Sequence, residues 1–341
     1  MGIALFTGDA DAKLSAKQVK GKARELGADL AGIASCAVLE ANPPDPSWPQ
    51  VPSRISSRVR SCIVLAKRMP IGEFLSDDTR TIAHTNQVVM RRLEKIAYDL
   101  SYWLDGLGHY SFQIAADETD PELKRGSYGY LSTRHVAVEA GLGTFGLESN
   151  LLTPEYGPRV YVTAVLTEAE LEADRPIEQQ ICLGESCGRC LLACPSDAVL
   201  QWGLDKRRCA THAQRHGISS IIYGPLQHLN DATNSAAAKN VLASRDTFEK
   251  WRSIIRLVMA FGVCPRCIEV CPLGEDYRKY LAREHKSISE RSPQKESRLN
   301  VMKVAAKAGS QVPGAPHLNL RFIGSSGRKG QTPKYVRDRE E

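Results

Sequence analysis

The sequence predicts a mixed α+β or α/β domain up to about residue 175, followed by a smaller cysteine-rich domain. In the first half of the chain, apolar runs of strand length alternate with amphipathic segments of helix length, which is typical of helices packed on a sheet. In the second half, eight of the ten cysteines lie between Cys182 and Cys271. A chain of 341 residues, 42% of them hydrophobic, is long enough to form both cores.

The elements can be assigned in order along the chain. The apolar spacing predicts helices over 15–27, 87–106, 133–140, 246–262 and 296–308, and strands over 30–34, 62–66, 111–116 and 159–167. In the helix over 246–262, the residues expected on the buried side are Phe248, Trp251, Ile255, Val258 and Phe261. Cys62 lies in a strand of the buried type, so it is expected in the core and not among metal ligands.

A glycine-rich loop follows the helix over 133–140. Gly141, Gly143 and Gly146 match the Gly-x-Gly-x-x-Gly spacing of dinucleotide-binding loops. However, they follow a helix and precede a strand, whereas a dinucleotide site needs the order strand, turn, helix, so that phosphate meets a helix N-terminus. We therefore reject a nicotinamide-dinucleotide site and expect these glycines where the backbone turns or approaches a bulky group.

The cysteines form two runs of the same spacing. In each run, two cysteines with two residues between them are followed, after three more residues, by a cysteine and a proline. This spacing is typical of bacterial ferredoxins that bind [4Fe–4S] clusters, in which the cysteine before the proline binds the other cluster. Two clusters need eight thiolates. The spacing predicts two ligand sets, namely Cys182, Cys187, Cys190 and Cys271 for one cluster and Cys194, Cys209, Cys264 and Cys267 for the other.

Other uses of these cysteines agree less well with the spacing. Zinc knuckles would accommodate the paired cysteines but do not need the two Cys-Pro elements. Disulfides need an oxidising compartment, which nothing in the sequence indicates. One ligand departs from the ferredoxin pattern, because four residues separate Cys182 from Cys187 where a bacterial ferredoxin has two.

The net charge of +6 is concentrated at the C-terminal end. Residues 273–341 contain fifteen Lys or Arg and eight Asp or Glu, which gives this segment a charge of +7. Such a tail suits contact with nucleic acid or an acidic partner, or else is a solvated extension. The N-terminus lacks the features of an export signal, and no apolar run reaches the roughly 20 residues of a membrane span. We therefore expect a cytoplasmic protein without membrane contact.

The chain resembles the corrinoid iron–sulfur reductases, the superfamily that includes epoxyqueuosine reductases and reductive dehalogenases. The resemblance covers residues from about 15 to 275 and rests on five motifs that occur in order: Ala140-Gly-Leu-Gly-Thr-Phe-Gly146, Leu151-Leu-Thr-Pro-Glu-Tyr-Gly-Pro-Arg-Val160, Cys187-Gly-Arg-Cys-Leu-Leu-Ala-Cys-Pro195, Leu204-Asp-Lys-Arg-Arg-Cys209 and Cys264-Pro-Arg-Cys-Ile-Glu-Val-Cys-Pro272. It implies an α+β, nitroreductase-like domain that binds cobalamin, joined to a bacterial-type ferredoxin domain with two [4Fe–4S] clusters. The residues then expected to bind the corrinoid are Gly141, Gly143, Gly146, Leu152, Thr153 and Tyr156.

The resemblance also sets the expected domain bounds. A nitroreductase-like corrinoid and substrate domain would span residues 1–175. A two-cluster ferredoxin-like domain would span residues 176–276, with an insertion over 210–262. Residues 277–341 would form a basic, partly disordered C-terminal extension.

The sequence departs from the epoxyqueuosine reductases in two ways. Those enzymes use an aspartate shortly before the glycine loop as general acid, and no aspartate occurs between Lys124 and Glu148. Dehalogenases use a tyrosine instead, and Tyr128 and Tyr130 lie here, with Arg134 close enough in sequence to lower the pKa of a phenol. The helical-repeat extension that contacts tRNA is also not evident after the last cysteine. We therefore expect a tyrosine as proton donor, unless these tyrosines are only amphipathic wall residues.

The leading hypothesis is an oxidoreductase of the reductive-dehalogenase type. Reduced ferredoxin or flavodoxin would supply electrons, which two [4Fe–4S] clusters would pass to cobalamin for reduction of a small organic substrate. One alternative is an epoxyqueuosine reductase that acts on tRNA and uses the basic tail. Another is a non-catalytic protein that transfers electrons or handles a corrinoid for a partner. The accessory protein would show no turnover of substrate with an artificial reductant.

Overall fold

A four-stranded sheet lies at the centre of the first domain. The computed structural model describes residues 14–45, 49–116, 120, 122, 129–214, 218–256, 264–312 and 320–322. The strands of the first domain are β1 (Leu30–Ser35), β2 (Ser61–Arg68), β3 (Ser111–Ile114), β4 (Thr144–Phe145), β5 (Leu151–Leu152) and β6 (Val160–Thr167). The sheet has the order β1-β2-β6-β3, and β4 pairs with β5 as a short hairpin. All neighbouring strands are antiparallel, so the mixed fold is of the α+β kind.

Helices pack on the sheet and follow the predicted order. They are α1 (Ala16–Glu25), α2 (Cys36–Ala41), α3 (Thr79–Gly106) and α4 (Thr133–Glu139). α1 begins after Ser15, whose side chain accepts a hydrogen bond from the Gln18 N–H while the Gln18 side chain accepts from the Ser15 N–H. α3 begins earlier than predicted, because Asp78 caps it by accepting the Arg80 N–H. Within the described ranges, no helix is long and apolar enough to cross a bilayer.

The two faces of β2 belong to two different cores. Ile63 and Leu65 pack with residues of α1 and α3 in one apolar cluster. Cys62 and Val64 lie in a second cluster, which contains Val136 of α4 and also residues of the cysteine-rich domain. Successive side chains of a strand point to opposite faces, so this division follows from the pleat. The second face of the sheet therefore shares a core with the cysteine-rich domain.

The cysteine-rich domain consists of short helices and a small sheet. Its helices are α5 (Arg189–Ala193), α6 (Lys206–Ala213), α7 (Ile218–Ile221), α8 (Gln227–Asn230), α9 (Ser235–Ala243), α10 (Arg245–Arg256), α11 (Arg266–Glu269) and α12 (Pro293–Lys307). The strands β7 (Val199–Leu200), β8 (Gly203–Asp205) and β9 (Leu320–Phe322) form an antiparallel sheet in that order.

Part of the expected C-terminal extension is packed onto this domain. On α12, Leu299 and Met302 are buried. The Arg298 side chain donates to Asp197 Oδ1 at 2.9 Å. A Cβ atom at Gly188 would lie 2.4 Å from a methyl carbon of Leu299, so α12 covers the turn that leads into α5. Residues 293–307 are thus a structural part of the cysteine-rich domain.

Two aromatic residues of α10 lie differently from the prediction. Phe248 and Trp251 were expected on the buried side but are 55% and 63% exposed. Lys250 is buried instead, against Gly224. If Gly224 carried a Cβ atom, that atom would lie 3.2 Å from Lys250 Nζ. The expectation was wrong because helical spacing shows which residues share a face, but not which face the neighbouring segment covers.

Candidate functional site

The two cysteine runs have the same local structure. Each begins with a thiol just before a short helix, continues with one inside it and ends with one just after it, around α5 and α11. Gly188 permits the turn into α5 because it has a φ of 59°. Cys209 lies in α6, and Cys182 lies in the loop before α5. The repeated spacing therefore produces a repeated arrangement of thiols.

The first neighbourhood of thiols contains Cys182, Cys187, Cys190 and Cys271. Burial, and after it Glu148, raises the pKa of Cys190, and Cys182 and Cys271 are among the thiols close enough to raise it further. Burial and Glu148 likewise raise the pKa of Cys182 to about 12, and Cys187 adds to this effect. These effects place Cys182 and Cys271 near Cys190, and Cys187 near Cys182.

The second neighbourhood contains the other four thiols. Burial raises the pKa of Cys209 to about 11, and Cys194 and Cys264 raise it further. Burial also raises the pKa of Cys267. The groups that raise it further are the Glu148 carboxyl and the thiols of Cys209, Cys264 and Cys194. The assignment of these eight thiols to two ligand sets stays a prediction. The two neighbourhoods lie next to each other, because Cys267 is close enough to Cys190 to raise its pKa. The binding of iron by these thiols stays a prediction.

Hydrogen-bond donors point at sulfur atoms in both neighbourhoods. The Gly184 N–H donates to Cys182 Sγ at 3.3 Å, and the Ala198 N–H donates to Cys194 Sγ at 3.2 Å. The side-chain amide of Asn150 lies 3.9 Å from Cys267 Sγ. Such donors stabilise thiolates and influence the reduction potential of bound clusters.

The described side chains do not form a site for a single metal ion. In the part of the chain that the structure describes, no three His, Cys, Asp or Glu side chains converge as one ion would require. A cubane cluster makes a different demand, because each of its four thiolates binds a different iron atom.

Glu148 is a buried carboxyl group near thiols of both neighbourhoods. It is 3% exposed, and burial raises its pKa to about 7. It acts electrostatically on Cys190 and Cys267. If Gly146 carried a Cβ atom, that atom would lie 2.6 Å from Glu148 Oε2, so the carboxyl group packs against the glycine loop. Sequence reasoning missed Glu148, because a single acidic residue in a loop has no periodic signal.

Arg159 joins the sheet to the second cysteine run. Its side chain is fully buried, and its guanidinium donates to both carboxylate oxygens of Asp276, at 2.7 and 2.6 Å. It also donates to the carbonyl oxygens of Ile268 at 3.1 Å, of Cys271 at 3.2 Å and of Leu273. All five N–H groups are thereby used. Arg159, which directly precedes β6, therefore fixes the position of Cys271, the last cysteine of the chain.

A cavity of about 400 Å³ borders both the sheet and the second neighbourhood. Its walls include Val160 and Val162 of β6 and, from the other domain, Cys264 and Pro265. The polar side chains that line it include Asn86, Arg134, Asn150 and Lys206. Arg134 is oriented by a hydrogen bond that it donates to the Ser149 carbonyl at 2.7 Å. The cavity thus combines cationic side chains with a wall that contains a candidate ligand.

A second cavity, of about 610 Å³, shares part of this wall. Phe74, Cys264 and Pro265 line both cavities. The acidic and histidine residues that line the second cavity are Asp77, Glu269, Glu284, Glu290, His212 and His285. Arg266 compensates two of the acids, with Nε 2.6 Å from Glu290 and Nη1 2.7 Å from Glu269. The first cavity is therefore basic and the second is mainly acidic.

The glycine loop is held by contacts within the protein. If Gly143 carried a Cβ atom, that atom would lie 2.1 Å from the Leu152 carbonyl oxygen. A Cβ atom on Gly141 would lie 2.5 Å from the Arg175 carbonyl oxygen. The expected close approaches are thus to this chain's own backbone. The loop continues through the buried Leu152 and Thr153 to Tyr156, whose N–H donates to Thr153 Oγ1 at 3.1 Å. None of the six residues expected to bind a corrinoid is among the described residues that line the two cavities, and that role stays a prediction.

The predicted catalytic residues lie at different places. Arg134 lines the first cavity. Tyr130 is half-buried between Gly129 and Leu131, which line that cavity, but it is not itself among the lining residues. Tyr128 lies outside the described residues. The identity of the proton donor therefore stays a prediction.

The two remaining cysteines lie in the core of the first domain. Cys36 is 3% and Cys62 is 0% exposed. Burial, followed by the nearby Glu40, raises the pKa of Cys36 to about 12, and burial raises that of Cys62 well above its ordinary value. The expectation that Cys62 is a core residue is confirmed.

Comparison with known proteins gives relatives of two kinds. No protein-family model matches the chain. The epoxyqueuosine reductase of Bacillus anthracis is 39% identical over 82 residues, which are 24% of this chain and 21% of that protein. That of Gloeobacter violaceus is 27% identical over 220 residues, 58% of this chain and 65% of that protein. The tetrachloroethene reductive dehalogenase of Sulfurospirillum multivorans is 41% identical over 68 residues, 19% of this chain and 13% of that protein.

The chain is related to the corrinoid iron–sulfur reductase superfamily. The resemblance expected from the five motifs is therefore confirmed. The match spans only about a fifth of the length of the Bacillus epoxyqueuosine reductases. The superfamily contains both epoxyqueuosine reductases and dehalogenases, so the relation by itself does not select a substrate.

Proposed function

We propose that the protein is a reductase in which each set of four cysteines holds a [4Fe–4S] cluster and a substrate is reduced in the cavity that Cys264 borders. The observation that carries this proposal is the double position of Cys264. It lies close to Cys194 in the second set and also lines the cavity of about 400 Å³. A redox group held by that set would therefore lie beside the space in which a substrate binds.

The two thiol sets would hold the clusters, and the volumes of the cavities set a condition for a corrinoid. Bound clusters would supply one-electron transfer, and cobalamin, which the superfamily suggests, would supply reduction at cobalt. Pockets for drug-sized ligands have volumes of ~300–1,000 Å³, and a corrinoid with its nucleotide tail is larger than such ligands. A corrinoid would therefore need more space than either cavity alone offers, and Phe74, Cys264 and Pro265, which line both cavities, would lie against it.

The chain's own residues would bind and orient the substrate. Arg134 and Lys206 place positive charge on the cavity wall, which suits an anionic group. The apolar side chains of Phe74 and Val160 exclude water from part of the same wall. Tyr130 is our candidate for the proton donor among the described residues, because its neighbours in the chain line the cavity.

Epoxyqueuosine in tRNA is the substrate that we place first. This changes the order expected from the sequence, which favoured a small organic substrate of the dehalogenase type. Relatives named epoxyqueuosine reductase occur in several bacteria. In addition, α6 carries Lys206 on the cavity wall, followed by the exposed Arg207 and Arg208. Lys206 on the cavity wall and the exposed Arg207 suit contact with the phosphate backbone of a nucleic acid, whereas Arg208 is paired with Asp205.

A halogenated small molecule is the second candidate. The cavity of about 400 Å³ lies in the size range of small ligands. A relative is named tetrachloroethene reductive dehalogenase. The chain also lacks an aspartate between residues 124 and 148, where the epoxyqueuosine reductases that it resembles have one. With either substrate, we propose reduced ferredoxin or flavodoxin as electron donor and the cytoplasm as location.

One assay separates these functions. Protein purified without oxygen and supplied with iron, sulfide and cobalamin is reduced with titanium citrate and offered an epoxyqueuosine-containing tRNA stem loop or tetrachloroethene. We expect queuosine by mass spectrometry, whereas chloride release would favour the second candidate. Cys264→Ala should abolish turnover and Cys62→Ala should retain it. Absence of turnover by the fully loaded protein with both substrates would contradict the catalytic proposal and favour an electron-transfer accessory.

A further inference from the structure

A buried lysine of α12 lies against the peptide of Cys194. Lys295 is 8% exposed. Its Nζ donates to the carbonyl oxygen of Cys194 at 2.8 Å and to that of Leu192 at 3.2 Å. Both carbonyls lie at the C-terminal end of α5, where unpaired carbonyl groups attract a cation. α12 thus places the ammonium group of Lys295 against the main-chain carbonyl of Cys194, whose thiol is a candidate cluster ligand.

The charge of Lys295 is not balanced by a partner carboxylate. Among the described residues, its hydrogen bonds go to the two carbonyl groups, and it forms no ion pair. Two other cations near the thiols are paired with carboxylates, whereas Arg189, beside Cys190, donates to the carbonyls of Val270 and His285 and to the Tyr277 hydroxyl. Arg266, near Cys264, donates to Glu269 and Glu290, and Arg159 donates to Asp276. Because an unbalanced charge acts more strongly in a buried, low-dielectric region than in water, Lys295 should have a larger electrostatic effect on the neighbouring thiols than the paired Arg266 and Arg159.

We propose that Lys295 raises the reduction potential of the cluster held by Cys194, Cys209, Cys264 and Cys267. The inference rests on the proposed function, since it requires that cluster. An added electron makes a cluster more negative, and a nearby buried ammonium group stabilises the reduced state. This set borders the cavity through Cys264. A higher potential at this set favours movement of electrons toward the cavity.

The proposal is tested by changing the charge while keeping a hydrogen-bond donor. Lys295→Gln removes the charge and keeps an N–H donor in the side chain, and Lys295→Arg keeps the charge. Arg298→Gln is the control, because Arg298 lies on the same helix but is 32% exposed and is paired with Asp197. The midpoint potentials of both clusters are measured by redox titration followed by electron paramagnetic resonance, with iron content determined on the same samples.

We expect Lys295→Gln to lower the potential of one cluster and to leave the other unchanged. At a fixed applied potential, the ratio of reduced to oxidised cluster should fall about tenfold, which is 59 mV for a one-electron step. Lys295→Arg should restore the ratio to within about twofold, and Arg298→Gln should change it by less than about twofold.

Three results would overturn the proposal. The first is an unchanged potential in Lys295→Gln with its iron retained, and the second is an equal shift in Arg298→Gln. The third is loss of iron from Lys295→Gln but not from Lys295→Arg, which would show that the lysine is needed for assembly and does not set the potential. Wild-type protein that binds no iron would instead refute the proposed function, before any potential is measured.

Discussion

The buried pair of Arg159 and Asp276 allows a stability prediction with a stated magnitude. The two side chains are 0% and 10% exposed. Arg159→Met would leave the Asp276 carboxylate and the carbonyl oxygens of Ile268, Cys271 and Leu273 without their shared donor. Removing one partner of a buried ion pair costs about 3–5 kcal/mol, because the remaining charge is uncompensated. We therefore expect the free energy of unfolding to fall by about that amount.

Urea unfolding followed by circular dichroism, with iron content measured in parallel, checks this prediction. Asp276→Asn alone should also destabilise the protein. The double variant should cost less than the sum of the two single changes, since it leaves no unpaired charge. Lys95→Met is the matched control, because Lys95 is 73% exposed in its ion pair with Asp99 and its loss should cost about 0–1 kcal/mol. Additive single effects, or a loss from Arg159→Met no larger than the control, would refute the reasoning.

Three further predictions concern the loop and the cysteines. Gly143→Ala should lower the melting temperature, at a cost of about 1–3 kcal/mol, because its Cβ would lie 2.1 Å from the Leu152 carbonyl oxygen. Gly21→Ala, in α1 with nothing within 4 Å, should raise stability by about 0.5–1 kcal/mol, and equal effects of the two changes would contradict the steric account. Cys209→Ala should lose about half of the bound iron and Cys62→Ala none, as measured by iron analysis; full iron in the first variant would remove Cys209 from the ligand set. Cys36 should resist iodoacetamide at pH 8 in the native protein and react in urea, because burial raises its pKa to about 12 and the reactive thiolate is scarce below that pH; rapid native labelling, detected by mass spectrometry, would contradict the burial.

The regular elements could be predicted because their signals are local. The strand that contains Cys62 and the helix that contains Leu93 follow from apolar runs and helical spacing, and both occur in the structure. The exposed positions of Phe248 and Trp251 could not be predicted in the same way. Their shared face is a local property, whereas its burial depends on the insertion that packs against the opposite side of α10.

The residues of the candidate site also differ in whether the sequence could predict their positions. The repeated local structure of the two cysteine runs could be predicted because ligand spacing is local, while the division of the thiols into two ligand sets stays a prediction. Arg159 and Lys295 could not be predicted, since they contact residues 117 and 101 positions away in sequence. The cavity beside Cys264 could not be predicted either, because its walls come from segments of both domains.

The content of iron and acid-labile sulfide in protein purified without oxygen tests the central claim most directly. Two [4Fe–4S] clusters on the two thiol sets predict about eight iron atoms and about eight sulfides per chain, with paramagnetic signals of reduced cubane clusters after addition of dithionite. Zinc in place of iron, with no labile sulfide, would contradict the account.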